Sequence, residues 1–315
     1  MTFRSTPESP IVASSRGVPL FQRVAIIGLG LIGGSVGLAC RARRLAIEVR
    51  GADHDPDHRA QAVALGCVEE AFEDSVGAVD GADLVVLAIP VGEIPRAIQR
   101  IVPHLPPGAV VTDVGSVKGP VAAAMERLLP GGKAVPGHPI AGREQSGPKA
   151  ASAELFVGAK CVLTPLRTTD LGALERVRGL WTEIGADVVE MSPERHDEVF
   201  AAVSHLPHIV AYALMGTILD LAEEGEELHE FAAGGLKDFT RIAMSNPVMW
   251  RDICLANRQQ ILEMIRRFQS ALSRLMSMIS AEDGEGLHRQ FARARTVREA
   301  VGRAKGAGHR TRAGE

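Results

Sequence analysis

The stretch RVAIIGLGLIGGS, Arg23 to Ser35, decides the fold. An apolar β-forming run ends at Gly28-Leu29-Gly30-Leu31-Ile32-Gly33, and a helical pattern begins just after Gly34-Ser35. This is G-x-G-x-x-G in the strand-to-helix setting that a dinucleotide site requires. The first glycine makes the tight turn, the second lets the backbone approach a pyrophosphate, and the third lets the helix pack on the strand. The unpaired N–H groups and partial positive charge of the helix N-terminus favour the phosphates. Asp53, at the end of the second strand, is placed to accept hydrogen bonds from ribose hydroxyls. Its charge would repel a 2′-phosphate, and its neighbours Ala52 and His54 supply no arginine, so NAD is expected in preference to NADP. His54 and His58 read as surface residues.

The runs RVAIIGLG, EVRGAD, ADLVVLAIP, AVVTDVG, KCVLTP and DVVEM alternate with helical patterns up to about residue 190. Strands that are apolar nearly throughout predict a mostly parallel sheet covered on both faces. After Ser192 the strand-like runs stop. Val199, Val203, Leu206, Val210, Leu214, Ile218 and Leu221 recur at helical spacing. Ile261, Ile265, Phe268, Leu272, Leu275 and Ile279 follow a heptad-like seam. The expected fold is therefore α/β: a Rossmann-type, mostly parallel sheet domain (21–190) followed by an all-helical domain (191–287). A Ser- and Pro-rich disordered lead (1–20) would precede them, and a helix end and loose tail (288–315) would follow. The helical seam fits a packed bundle and a homodimer interface equally well.

Bulk properties narrow the function. The chain has 315 residues, with 35 basic against 38 acidic side chains, so neither nucleic acid nor an anionic membrane is an expected partner. Four dispersed cysteines form no C-x-x-C pair, the N-terminus lacks a signal-peptide core, and no run approaches the roughly 20 apolar residues of a membrane span. A cytoplasmic enzyme or binding protein with a small-molecule partner fits these numbers.

In an open parallel sheet, ligands sit beyond the carboxyl ends of the strands. Three polar stretches are expected there: DVGSVKG with Ser116, the loop GHPIAGREQSG with His138 and Glu144, and SPERHD with His196 and Asp197. The stripe through Val199, Val203, Leu206 and Val210 is expected to be buried. The opposite side, with Asp197, Ala201, Ser204, His205, His208 and Tyr212, is expected to border a cleft. His205 and His208 flank Pro207, which should interrupt the helix, and lack partners at metal-ligand spacing, so no metal site is expected. Taken singly, each reads as a structural hydrogen-bonder. Lys237, Asp238 and Arg241 fall on roughly one helical face, with Trp250 beyond Pro247; an arginine there could clamp a carboxylate.

Taken in order, GLGLIGGS, DVGSVKG, GHPIAGREQSG, MSPERHD, VSHLPHIVAYAL and GGLKDFTRIAMSNPVMWRDI resemble the prephenate and arogenate dehydrogenases of tyrosine biosynthesis, over about residues 23 to 280. The resemblance implies a dinucleotide-binding domain and a helical dimerisation domain. It also implies His138 as the base that takes the ring-hydroxyl proton, Ser116 as its hydrogen-bonding companion, and Arg241 as the carboxylate ligand. Glu144, His196, Asp197, His205, His208, Asp238 and Trp250 would line or gate the pocket. Two alternatives are an NAD-dependent β-hydroxy acid dehydrogenase using Lys237, and a non-catalytic NAD-binding sensor.

Overall fold

The computed structural model describes residues 18–129, 131–143, 145–223 and 231–307. Most of the expected disordered lead, residues 1–17, lies outside these ranges, as do Glu144 and residues 308–315 of the expected tail. Two compact units are formed, Met1–Arg258 and Gln259–Glu315.

In the first unit the chain alternates strand and helix. The elements are β1 (Phe21–Ile27), α1 (Leu31–Ala42), β2 (Ala46–Ala52), α2 (Pro56–Ala64), β3 (Glu70–Phe72), α3 (Ser75–Val79), β4 (Leu84–Leu87), α4 (Ile94–Ile101), β5 (Val110–Asp113), α5 (Gly119–Leu128) and β6 (Ala134–Val135). The six strands pair in parallel in the order β3-β2-β1-β4-β5-β6. The order reverses between β1 and β4, and that switch point is where open sheets leave a crevice for ligands.

Successive side chains leave a strand on opposite faces, and both faces are covered here. Val24, Ile26, Leu84, Val86 and Val110 pack into one apolar cluster; Ala25, Ile27, Val85, Leu87 and Val111 pack into the other. The predicted parallel sheet is thus observed, although KCVLTP and DVVEM belong elsewhere. After Pro136 the chain turns into a separate three-stranded sheet, β7 (Gly137–Pro139), β8 (Lys160–Leu163) and, after α6 (Leu171–Ile184), β9 (Asp187–Glu190). β7 runs antiparallel to β8, and β8 parallel to β9. β3, β6 and β7 have only two or three residues, too few for a periodic signal.

Next come α7 (Pro193–Phe200), a π-helical turn (Ala201–His205), α8 (Leu206–Glu223), α9 (Gly234–Thr240) and α10 (Pro247–Ala256). Three helices share one start signal, a capping side chain followed by proline: Asp55-Pro56, Ser192-Pro193 and Asn246-Pro247. The cap accepts orphan N–H groups, and proline at the first helical position has no N–H to leave unpaired.

Two expectations about the long helix change. Pro207 does not interrupt it: the π turn just before Leu206 absorbs the missing donor, and Pro193–Ala222 runs as one 30-residue helix. By length and composition that helix is apolar enough to cross a membrane, contrary to the sequence expectation. Its sides also differ from expectation. Val203 is 66% exposed and Val199, Leu206 and Val210 are only half-buried, whereas Asp197, Ala201 and His205 are buried, because Asp197 accepts hydrogen bonds from the loop after β5.

The second unit holds most of α11 (Arg258–Ser280) and α12 (Gly284–Ala307). The segment from His288, expected as a helix end and loose tail, continues as helix to Ala307. Along the heptad-like seam, Leu272 and Ile279 remain exposed.

Trp181 on α6 is fully buried and meets Phe156 edge-on, with ring centroids 5.2 Å apart. Trp181→Ala is expected to cost about 3–5 kcal/mol by leaving a cavity. Urea unfolding monitored by far-UV circular dichroism checks this, and an unchanged midpoint would contradict the packing described.

Candidate active site

The glycine turn is built as the motif requires. Gly28 has φ +97°, and a Cβ there would lie 2.3 Å from the Ala88 carbonyl oxygen; a Cβ on Gly33 would lie 1.9 Å from the Gly28 oxygen. Gly30 is different, because a Cβ there would meet nothing within 4 Å. Gly28 and Gly33 thus serve the turn and the helix–strand contact, and Gly30 faces open space where a phosphate can approach the backbone. Gly30 caps α1 without a side-chain hydrogen bond; the Gly34 N–H donates to the Gly30 carbonyl (2.9 Å), which leaves the N–H groups of Leu31, Ile32 and Gly33 to a ligand. These residues fit a dinucleotide.

Asp53 accepts from the Leu29 N–H (2.8 Å) and the Asp55 N–H (3.0 Å), which fixes its carboxylate beside the glycine turn. The two nearby histidines differ. His54 is almost fully exposed, but His58 is only one-third exposed, with Nδ1 3.5 Å from Asp53. Arg59 is closer to the acid than the sequence suggests; its Nη1 donates to the carbonyls of Asp53 and His54.

At the carboxyl end of β5 lies a buried polar cluster. Asp113 Oδ2 accepts from the Gly115 N–H (2.8 Å) and from Lys118 Nζ, and Oδ1 accepts from the Gly137 N–H (3.1 Å). Lys118, completely buried, also donates to the Gly137 carbonyl at 2.7 Å. The pair therefore ties β5 to β7 one residue before His138. A buried ammonium would be costly alone, and its pKa is lowered by burial against the opposing pull of Asp113 and Asp197.

His138 projects from β7 on the side opposite its buried neighbours Gly137 and Pro139. Its Nδ1 lies 2.8 Å from His196 Nε2, and His196 Nδ1 lies 2.8 Å from Asp197 Oδ1. Asp197 further accepts from the N–H groups of Lys118 and Gly119, both at 2.8 Å. Phe200 lies against both rings, 4.9 Å from His138 and 4.4 Å from His196. Asn257 Nδ2 donates to the Asp197 carbonyl (2.9 Å) and approaches His205 Nδ1 at 3.2 Å. His205 Nε2 and Trp250 Nε1 are buried and make no hydrogen bond within the described residues. Trp250 stacks on His208 (3.8 Å, 23°) and meets His205 edge-on at 6.0 Å.

The sequence-derived residues thus separate. His138, His196, Asp197, His205, His208 and Trp250 form one connected group. Ser116 is half-buried in the loop between Asp113 and Lys118; its hydroxyl makes no hydrogen bond to His138, although its backbone acts on His205. Arg241 is exposed and close enough to His208 to lower its pKa. Lys237 and Asp238 are exposed on α9. Sequence reasoning passed over Lys118 and Asn257. The signal for Lys118 was a lone lysine five residues after a strand of buried residues; for Asn257 there was none.

Electrostatically the group is tuned to stay neutral. Burial lowers the His138 pKa well below its ordinary value, and the nearby His196, Lys118 and His205 lower it further. Burial also lowers His196, against the Asp197 hydrogen bond, and brings His205 to about 4. His208 is lowered by burial and Arg241.

A family model for the prephenate dehydrogenase nucleotide-binding domain matches residues 36–190, and one for the prephenate dehydrogenase dimerization domain matches residues 192–293. The chain belongs to the prephenate dehydrogenase family. The cyclohexadienyl dehydrogenase of Zymomonas mobilis is 36% identical over 90% of this chain and 97% of its own. The crystal structure of Aquifex aeolicus prephenate dehydrogenase, in complex with hydroxyphenyl propionate and NAD+, superposes with a TM-score of 0.85 at 37% identity, covering 89% of this chain and 98% of that one. Synechocystis arogenate dehydrogenase superposes at 0.74 with 30% identity, covering 89% and 99%. Family membership makes the chain an oxidoreductase and supports neither the β-hydroxy acid dehydrogenase nor the sensor alternative.

The four lowered histidines have a thermodynamic consequence. The unfolded chain takes up protons near pH 6.5, while the folded chain resists until lower pH, so stability rises with pH across this window and is lost as pH falls through it. His205 alone, at about 4 against 6.5, accounts for on the order of 3 kcal/mol. The urea midpoint is expected to drop steadily from pH 6.5 to 4; a flat profile would mean that these rings titrate normally.

Proposed function

We propose that the chain catalyses the NAD-dependent oxidative decarboxylation of prephenate, arogenate or both, with His138 as general base. The observation that carries this reading is the geometry at His138. It is a neutral imidazole held at Nδ1, with Nε2 left accessible, beside the carboxyl end of β5. Oxidising a ring C–OH requires a group to receive the hydroxyl proton, and a positioned imidazole contributes typically ~10²–10⁴ in rate. NAD+, when bound, would supply the hydride acceptor; the cradle of Gly28, Gly30 and Gly33 and the carboxylate of Asp53 would hold it.

His138 Nε2 takes the hydroxyl proton as the carbon is oxidised, and loss of the ring carboxylate as CO₂ leaves an aromatic ring. No step calls for a metal. Arg241, near His208 at the edge of the group, receives a substrate carboxylate. The donors His205 Nε2 and Trp250 Nε1, unpaired among the described residues, offer hydrogen bonds that a ligand or water can complete. Ser116 reaches the hydroxyl region, and His208 and Asp238 border the pocket.

The helical part, residues 191–287, serves a homodimer. In support of this, Val203, Leu272, Met276 and Ile279 are 44–67% exposed in the single chain, and the matching family domain is named for dimerisation. A cytoplasmic setting follows from this metabolic role, with small-molecule partners and neither nucleic acid nor membrane.

His138→Asn is expected to lower kcat by at least ~10²-fold while the Kd for NAD+ changes little; the readout is NADH absorbance with prephenate and with arogenate as substrates. Equal loss of turnover and cofactor affinity, or little loss of either, would remove His138 as base. Arg241→Gln should chiefly raise the substrate KM, and an unchanged KM would exclude Arg241 from carboxylate binding.

A further inference from the structure

His196 and Asp197 match family positions expected to line or gate the pocket, yet both are almost fully buried and stand behind His138. We infer that they are positioning residues: Asp197 dictates the tautomer of His196, and His196 in turn dictates that of His138, so that the accessible nitrogen of His138 carries no proton. This rests on the reading of His138 as the base.

The argument is one of donors and acceptors. Burial pushes the Asp197 pKa up, but hydrogen bonds from His196 and from the N–H groups of Lys118 and Gly119 more than offset it, so the group is a carboxylate. A carboxylate only accepts, so His196 Nδ1 must carry the proton of the 2.8 Å bond. His196 is neutral, with its pKa lowered, and its Nε2 therefore holds a lone pair. His138 Nδ1, 2.8 Å from that lone pair, must donate. Neutral His138 has a single ring proton, which leaves Nε2 as the acceptor. Among the described residues Nε2 makes no hydrogen bond, and it is not one of the buried orphan atoms.

The surrounding charges favour the same outcome. The groups facing the two rings are Asp197 on α7, Asp113 on β5, Lys118 before α5 and His205 in the π turn. Lys118 and Asp113 form a pair and contribute no net charge. With the histidines neutral, Asp197 leaves the cluster one unit negative. When His138 Nε2 receives a proton, its Nδ1 proton can shift along the hydrogen bond to His196 Nε2, and the ring facing Asp197 becomes the cation. The bond formed at Nε2 is balanced by the bond broken at the substrate hydroxyl, and the cluster becomes neutral. An aspartate that fixes the tautomer of a catalytic histidine is known to matter greatly for turnover; replacing it with asparagine in the serine-protease triad costs ~10⁴.

Long-range ¹H–¹⁵N correlation NMR of the cofactor-free protein at pH 7.5 reads the tautomers directly. Both His138 and His196 are expected in the Nδ1–H form, with assignments from His138→Asn and His196→Gln. Nε2–H on His138 in the wild-type protein would overturn the inference, whatever the activity of His138→Asn. Conversely, the expected tautomers together with undiminished turnover by His138→Asn would defeat the base assignment and leave the positioning chain intact. Asp197→Asn should lower kcat by ~10²–10⁴-fold with substrate KM within about threefold. It should also move the acid limb of the kcat/KM profile to lower pH, because a stabilising negative charge is gone. A role confined to tethering α7 would scale that profile without moving it, and that result would also overturn the inference.

Discussion

The buried pair of Lys118 and Asp113 is the constraint on which the site depends. Asp113 ends a strand of the parallel sheet, and the Gly137 N–H and Lys118 Nζ both bond to it. Gly137 belongs to the other sheet, so the pair fastens one sheet to the other at the point where His138 emerges. Such a pair adds little net stability, since desolvation offsets much of the attraction. Its contribution here is geometric. Three hydrogen-bonded partners of one carboxylate fix the β5 terminus, the following loop and the start of β7 together.

The same economy of partners recurs at Asp197. Its two oxygens accept from two successive backbone N–H groups and from His196, so the start of the long helix is docked on the loop that also holds Lys118. The π turn follows immediately. An extra residue in that turn brings His205 onto the buried side with His196 and Asp197, while Pro207 enters the next helical segment without breaking it. Inserted turns of this kind are common at functional sites because they re-aim side chains without ending the helix.

Much of the architecture was legible in the sequence. The glycine turn, Asp53, the six apolar runs and the switch to helices after Ser192 are local patterns, and local patterns survive in a single sequence. The site was legible as a set of residues but not as an arrangement. His138, His196 and Asp197 were recognised as polar residues at strand ends; that they form a chain depends on the pairing of β7 with β8 and on the tie between β5 and β7, which no short stretch encodes. The helix faces were misread for a related reason. An apolar stripe marks a surface that avoids water, but it does not say whether this chain or another covers it. Polar residues can be buried instead when every donor finds an acceptor, and Asp197, Lys118 and Asn257 meet that condition.

The three-residue strand β7 has one more consequence. Thr164 N–H donates to the Pro136 carbonyl and Ile140 N–H to the Lys160 carbonyl, so the segment is stapled at both ends and has no slack. Alternation along a strand means that adding or deleting one residue between those staples would rotate the imidazole to the reverse side of the ribbon. The five positions from 136 to 140 thus form a spacing that can accept substitutions but not a change of length.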